Sequence, residues 1–309
     1  MSFSKQIKQT LRQGLSRLYR DHPALIGFLF HGIFLDQNEI DKARVDAQQG
    51  VTLAHMQQFI EHFLQAGYEF ITPEKNLDAL DREKKYVCIT FDDGYFNNLR
   101  MLPLLQQYNI PATFYITTGN IENQHCFWWD VVYRQRKRLG TDKPTISKEQ
   151  KMLKQKNHAE ILDYLRQEFG QQCLEPWSDT DRPMTIDELQ SFENHSGVYI
   201  GNHTRDHYLL DQYSDTEVEK QILDAQKDLE KWLGSPPSSI AYPNGNYSEA
   251  AMKAAKKAGL HYGFSLDKQK NHLPIKSTDL TRFHLGRYTL WGRNDIGAQC
   301  EVIRSDIPL

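Results

Sequence analysis

The sequence predicts an α/β fold in which parallel strands are covered by helices. Two observations carry that prediction. Short apolar runs alternate along the chain with segments of helical periodicity, and the runs are apolar throughout, as strands buried on both faces must be. A closed barrel and a doubly wound sheet both satisfy the pattern. Taken in order, residues 3–20 read as a helix: Phe3, Ile7, Leu11, Leu15 and Leu18 share one face, at spacings of four, four, four and three. The opposite face carries Lys5, Lys8, Arg12, Arg17 and Arg20, with no acid before Asp21. Such a helix suits either an anionic membrane surface or a face of its own domain.

The run from Ala24 to Leu35 imitates the apolar stretch of a signal peptide, but it contains His31 and continues into Asp36 and Glu39 rather than a small-residue cleavage site. A buried first strand is the better reading, and the protein is expected inside the cell. Strands are predicted at 26–30, 86–91, 113–117, 198–201, 239–242 and 262–265, and helices at 52–66, 97–108, 185–193, 216–233 and 248–258. Residues 123–183 break this rhythm with Phe127-Trp-Trp-Asp130 and a lysine-rich helical pattern over 147–169, and read as a largely helical insertion. The expected organisation is a basic helix over 1–22 and one domain over 23–309 that contains the insertion.

Composition removes several classes of function. With 39% apolar and 25% charged residues the chain is globular rather than disordered. A net charge of −3 gives no general attraction to nucleic acid. The four cysteines are scattered, without the spacing of a zinc site or a disulfide framework, and suit a reducing compartment.

Two polar clusters end predicted strands, which is where parallel α/β folds place their sites. In Thr90-Phe-Asp-Asp-Gly94 a strand runs into adjacent carboxylates whose side chains diverge, so that Asp92 and Asp93 can take different tasks. In Val198-Tyr-Ile-Gly-Asn-His-Thr-Arg-Asp-His207 a strand is followed by histidines four residues apart, which share a face if the turn is helical. Imidazoles with a carboxylate suit zinc, cobalt or nickel and leave coordination positions open.

Together, Thr-Phe-Asp-Asp-Gly at 90–94 and His-Thr-x-x-His at 203–207 resemble the first two signatures of the polysaccharide deacetylases (carbohydrate esterase family 4, the NodB-homology domain). The resemblance spans 24–122 and 184–290 and leaves the insertion outside. It implies a distorted (β/α)7-type barrel and one divalent ion, most simply Zn2+, held by Asp93, His203 and His207. It assigns Asp92 as general base toward the water that the ion activates. The third signature, normally Arg-x-Pro, aligns with Ala241-Tyr-Pro-Asn244: its arginine is missing, while Tyr242, Pro243 and Asn244 remain as substrate-binding candidates, the last through its backbone N–H. A subset of the family places an arginine in a Leu-x-Arg-aromatic stretch, which matches Leu280-Thr-Arg-Phe283 and makes Arg282 the expected partner of Asp92, with Arg287 behind it. The family's late histidine acid has no clear copy. Phe28-Leu-Phe-His31 matches it at the start of the chain, as in permuted members, so His31 is the expected general acid, with His284 and His272 as fallbacks.

The function implied is removal of N-acetyl groups from an N-acetylhexosamine of a bacterial surface glycan or its lipid-linked precursor. A catalytically silent carbohydrate-binding relative, motivated by the missing arginine, and a hydrolase of another amide or a cyclic imide are the alternatives. The oligomeric state is not legible. If the basic helix meets the inner membrane face, the protein binds anionic liposomes and loses that binding when residues 1–20 are removed; unchanged binding in a sedimentation assay refutes the contact.

Overall fold

The computed structural model describes residues 21–42, 44–276 and 280–305. The basic helix expected over 3–20 lies outside the described residues. The strands are β1 (Leu25–Phe30), β2 (Glu69–Ile71), β3 (Tyr86–Phe91), β4 (Ala112–Ile116), β5 (Val198–Asn202), β6 (Ser239–Ala241), β7 (Tyr262–Phe264) and β8 (Arg287–Thr289). They pair in parallel in the order β7-β6-β5-β4-β3-β1-β8, with β2 beside the first half of β3 and β4 beside its end. Phe264 of β7 bridges Leu285, and the Ser265 N–H donates to the Leu285 carbonyl at 2.9 Å, which ties β7 to the segment entering β8. The sheet is therefore a nearly closed barrel of seven parallel strands, as the resemblance implied.

The helices are α1 (Gln37–Asp41), α2 (Leu53–Gln65), α3 (Leu102–Tyr108), α4 (Thr118–Asn123), α5 (Trp128–Arg138), α6 (Lys143–Leu153), α7 (His158–Phe169), α8 (Ile186–Glu193), α9 (Asp215–Leu233), α10 (Glu249–Lys257) and α11 (Ile296–Arg304). Two predicted helices break where local chemistry dictates. The 97–108 segment is a 3-10 turn over Phe96–Met101 followed by α3, with Pro103 in the first turn of α3, where its missing N–H costs nothing. The 147–169 pattern divides at Asn157, whose side chain and Glu160 form a reciprocal capping box that starts α7 anew. Strands β2 and β8 carry no signal in the sequence, because three-residue strands offer no apolar run to read, and helices α1, α4 and α11 also fall outside the predicted elements.

Period-two alternation decides what enters the barrel. Ile26, Phe28 and Phe30 of β1 and Val87, Ile89 and Phe91 of β3 face the helices, where Phe28 meets Phe59 and Phe63 edge-on at 4.8 and 5.2 Å. The other parity faces inward. Leu25, Tyr86, Cys88, Tyr115 and Phe264 fill the barrel interior. That same parity carries β1 on to His31, β3 to Asp92 and β5 to His203, just past the ends of their strands. The β1–β3 register aligns Phe30 with Phe91, so His31 and Asp92 leave the barrel at one level.

The insertion has its own apolar cluster, in which Val131, Val132, Ile146, Leu153 and Leu165 pack together. At its base Arg134 and Asp181 form a fully buried ion pair, and the other end of the guanidinium donates to the carbonyls of Cys173 and Glu175 at 2.6 and 2.7 Å. Removing one partner strands the other charge and two carbonyls in the interior. Arg134→Leu is therefore expected to cost about 3–5 kcal/mol in a urea melt; a loss below 1 kcal/mol would show that the pair does not hold the insertion.

Candidate active site

The strand ends meet at a cavity of about 350 Å³, lined by His31, Asp92, Asp93, His203, His207 and Asn244 among others. After β3 the chain reverses through Asp93 and Gly94, both with left-handed backbone (φ 80° and 90°). The reversal separates the two carboxylates as the sequence implied.

Asp93 is buried, and neither of its carboxylate oxygens has a hydrogen-bond partner. Its Oδ1 lies 3.4 Å from Nε2 of His203 and 3.4 Å from Nε2 of His207. One ligand atom from each residue falls within 4.8 Å of the others. A buried carboxylate with both oxygens unsatisfied is costly unless a cation completes it, so these three residues fit a divalent ion. Nδ1 of His203 stands 2.7 Å from the Ala241 carbonyl, which can only accept. The proton therefore sits on Nδ1, and Nε2 is left as a ligand, an outer bond typical of metal-binding histidines. Burial alone lifts the Asp93 carboxyl, but the two imidazoles outweigh it and hold it well below the usual carboxylate range.

The histidines do not converge through a helical turn, as the spacing suggested. Residues after β5 form a loop in which Thr204 (φ 64°) and His207 (φ 54°) are left-handed. Backbone bonds clamp that loop: the N–H groups of Thr118 and Gly119 donate to the carbonyls of Thr204 and Arg205 at 3.3 and 2.7 Å, and that of Arg205 to Gln221 of α9 at 3.1 Å. Gly119 is required there, since a Cβ would lie 2.4 Å from the Asp206 carboxylate.

Asp92 is held by Arg287, not Arg282. The Arg287 guanidinium donates to Oδ1 and Oδ2 at 2.7 and 2.9 Å, and also to Thr90 Oγ1 and the Ser265 carbonyl. Arg287 belongs to β8 with inward parity, whereas Arg282 lies on the 3-10 turn Leu280–Phe283 and lines a separate groove with His261.

The match to family models confirms the resemblance: residues 79–263 fit the model described as Polysaccharide deacetylase. The chain belongs to the polysaccharide deacetylase family. The Bacillus subtilis protein YxkH is 22% identical over 206 residues, which cover 65% of this chain and 53% of that protein. A poly-beta-1,6-N-acetyl-D-glucosamine N-deacetylase of Staphylococcus aureus is 25% identical over 189 residues, covering 60% of this chain and 49% of the relative. The chain thus spans about half the length of these curated relatives. Among solved structures, the Streptococcus pyogenes deacetylase PplD in complex with acetate superposes with a TM-score of 0.60 at 17% identity, over 91% of this chain and 98% of that one; this likeness concerns the fold.

The remaining candidates of this polysaccharide deacetylase divide. His31 lines the cavity, and its Nδ1 lies 2.9 Å from Oε1 of Gln49, whose Nε2 donates to the Leu29 carbonyl at 2.9 Å. That second bond fixes the amide, so Nδ1 is the donor and Nε2 is left for the cavity. His284 instead stacks on Tyr247, and His272 does not line the cavity. Asn244 lines it, in a left-handed turn (φ 55°), while Pro243 is buried beneath. Tyr242 is a correction: it has the outward parity of Ile240, packs among Ala251, Ala254 and Phe283, and is fully buried away from any substrate. Trp129 of the Phe127-Trp-Trp-Asp130 run lines the cavity, its ring 4.7 Å from that of His207; unforeseen was Gln49, which nothing in the local sequence pattern marks, since it sits in a loop with no strand or helix period.

About one divalent ion per chain is expected by elemental mass spectrometry, and His203→Ala or Asp93→Asn should lose it. Burial depresses the His203 pKa, but Asp92 and Asp93 outweigh it and raise the value above the ordinary 6.5. The ion needs the neutral ring, so affinity should fall as pH drops below that raised value, approaching tenfold per pH unit. An affinity that does not change between mildly alkaline and mildly acidic buffer contradicts the assignment.

Proposed function

We propose that this chain is an N-deacetylase that hydrolyses the acetamido group of an N-acetylhexosamine in a bacterial surface glycan or its lipid-linked precursor. The observation that carries the proposal is the unsatisfied Asp93 carboxylate facing two imidazole nitrogens, with a second aspartate, held by arginine, at its side. The name of the Staphylococcus aureus relative supports the sugar. When bound by Asp93, His203 and His207, a divalent ion (zinc, cobalt or nickel) lowers the pKa of water and polarises an amide carbonyl.

The chain's own groups supply the proton transfers. Asp92 accepts the proton of the attacking water, and the bidentate bond from Arg287 holds its carboxylate in one orientation for that step. Water oxygen adds to the acetyl carbon, the C–N bond breaks, and acetate leaves with the sugar amine. The Nε2–H of protonated His31 delivers the proton that makes the amine a leaving group. Its ring is held for that delivery by Gln49, and the backbone N–H of Asn244, a residue that lines the cavity, donates to the developing oxyanion.

Acetate release from N-acetylglucosamine oligomers tests this reading. Asp92→Asn and His31→Ala should each lower kcat by about a hundred- to ten-thousand-fold. Gln49→Leu should lower kcat with little change in KM. Gln49→Glu, which sets a carboxylate beside the imidazole, should move the alkaline limb of the pH profile to higher pH. A protein that binds no metal and releases no acetate favours a silent carbohydrate-binding relative, and release only from other amides or cyclic imides favours the third alternative.

A further inference from the structure

The insertion gives the cavity two cations for which deacetylation has no use. Lys154, just past α6, and Lys156 both line the cavity wall opposite the barrel strands. Lys154 is half-buried, and its Nζ donates to Oδ1 of Asn244 at 2.6 Å, a neutral partner on the far side of the cavity mouth. Neither lysine forms an ion pair among the described residues. The arginines that the insertion withdraws from water are matched: Arg134 by Asp181, Arg136 by Glu149 and Glu168, Arg166 by Asp163, and Arg182 by Glu188.

The acids nearest Lys154 are Asp93 and Asp46. Asp93 is committed to the two imidazoles and the ion they fit. Asp46 accepts from its own loop at Gln48, from Gln150 and from Lys143. Burial accordingly pulls the Lys154 pKa down despite both carboxylates. A cation drawn out of water without a counter-charge is unfavourable, and an anionic ligand offsets that cost.

We propose that Lys154 and Lys156 form a receptor for an anionic substituent of the substrate, a phosphate or carboxylate attached to, or one unit away from, the N-acetylhexosamine. This rests on the deacetylase reading for the sugar itself and narrows its substrate class. Phosphate corresponds to a sugar joined to a carrier, and carboxylate to a neighbouring uronic acid. Asn244 lines the same cavity, so an anion that draws Lys154 toward itself releases the Asn244 side chain from that bond.

The test is calorimetric titration of the full chain with N-acetylglucosamine, N-acetylglucosamine 1-phosphate and N-acetylglucosamine linked to glucuronate, in parallel with acetate release. At least one anionic ligand should bind about tenfold tighter than the neutral sugar, the scale of one charge-assisted hydrogen bond. Lys154→Met with Lys156→Met should erase that preference, and Lys154→Arg should retain it, which controls for misfolding. Equal affinity for neutral and anionic sugars overturns the receptor, as does a preference that survives in the double variant, because the anion would then sit on the metal. Anion preference without acetate release from any ligand would sink the deacetylase reading and leave the receptor standing; acetate release without anion preference would do the reverse.

Discussion

The ion pair of Arg287 with Asp92 is the constraint around which the barrel is arranged. Both side chains are almost wholly buried, and taking two charges from water costs several kcal/mol per ion unless geometry and further hydrogen bonds offset it. Four hydrogen bonds supply that offset: both carboxylate oxygens accept from the guanidinium, and two further N–H groups donate to Thr90 Oγ1 and the Ser265 carbonyl. Three strands supply those groups, so the pair links β8 to β3 and to the end of β7 across the interior. It also dictates sequence elsewhere. Gly27 faces Arg287 from β1, and a Cβ there would stand 2.8 Å from the Gly286 carbonyl and 3.1 Å from Arg287 Cγ. Closing the barrel and orienting the proposed base are one interaction.

The candidate metal ligands are positioned by a different device, loops in unfavourable backbone conformations. Asp93, Thr204 and His207 are all left-handed without being glycine, a conformation costing on the order of 1–3 kcal/mol each when it is not over-determined by surroundings. The surroundings here do over-determine it. The Asp93 carbonyl accepts from the Thr117 N–H, the Thr204 N–H donates to Asn202 Oδ1 at 2.8 Å, and Gln221 holds Asp206 from both ends. An α-helical turn would have presented both imidazoles with less strain. The loop instead aims two Nε2 atoms at one carboxylate oxygen from different directions, as an open coordination site requires.

Much of this was legible in the sequence, and the boundary has a physical explanation. Apolar runs marked the longer buried strands, and the two motifs marked where β3 and β5 end, because chemistry at a strand end interrupts hydrophobic periodicity sharply. His31 was reachable by the same logic. The choice between Arg282 and Arg287 was not: β8 is only Arg-Tyr-Thr, too short to announce itself, and an arginine inside a barrel looks like a polar surface position. Tyr242 shows the converse error. Its place in the third-signature turn suggests contact with substrate, yet strand parity through Ile240 sends it outward, and parity becomes usable only when the strand's limits are known. Left-handed Thr204 and His207 carry no compositional signal at all.

The insertion is as much a part of the site as the barrel is. Trp129 packs its ring beside His207 while its Nε1–H donates to the Tyr95 hydroxyl at 2.9 Å; that hydroxyl donates in turn to Asp130 Oδ2 at 2.7 Å. The other oxygen of Asp130 accepts the Asp46 N–H, on the loop that also carries Gln49. One chain of bonds therefore runs from the residue beside His207 to the loop that orients His31. Tyr95 follows Gly94 directly, so the chain begins one residue after the turn that bears Asp93. The insertion, which lies within the residues matched to the family, is joined to the barrel at three points beside the candidate site residues. On the proposed reading, variation in the insertion alters catalysis and substrate choice together, because the same segment walls the cavity and braces its histidines.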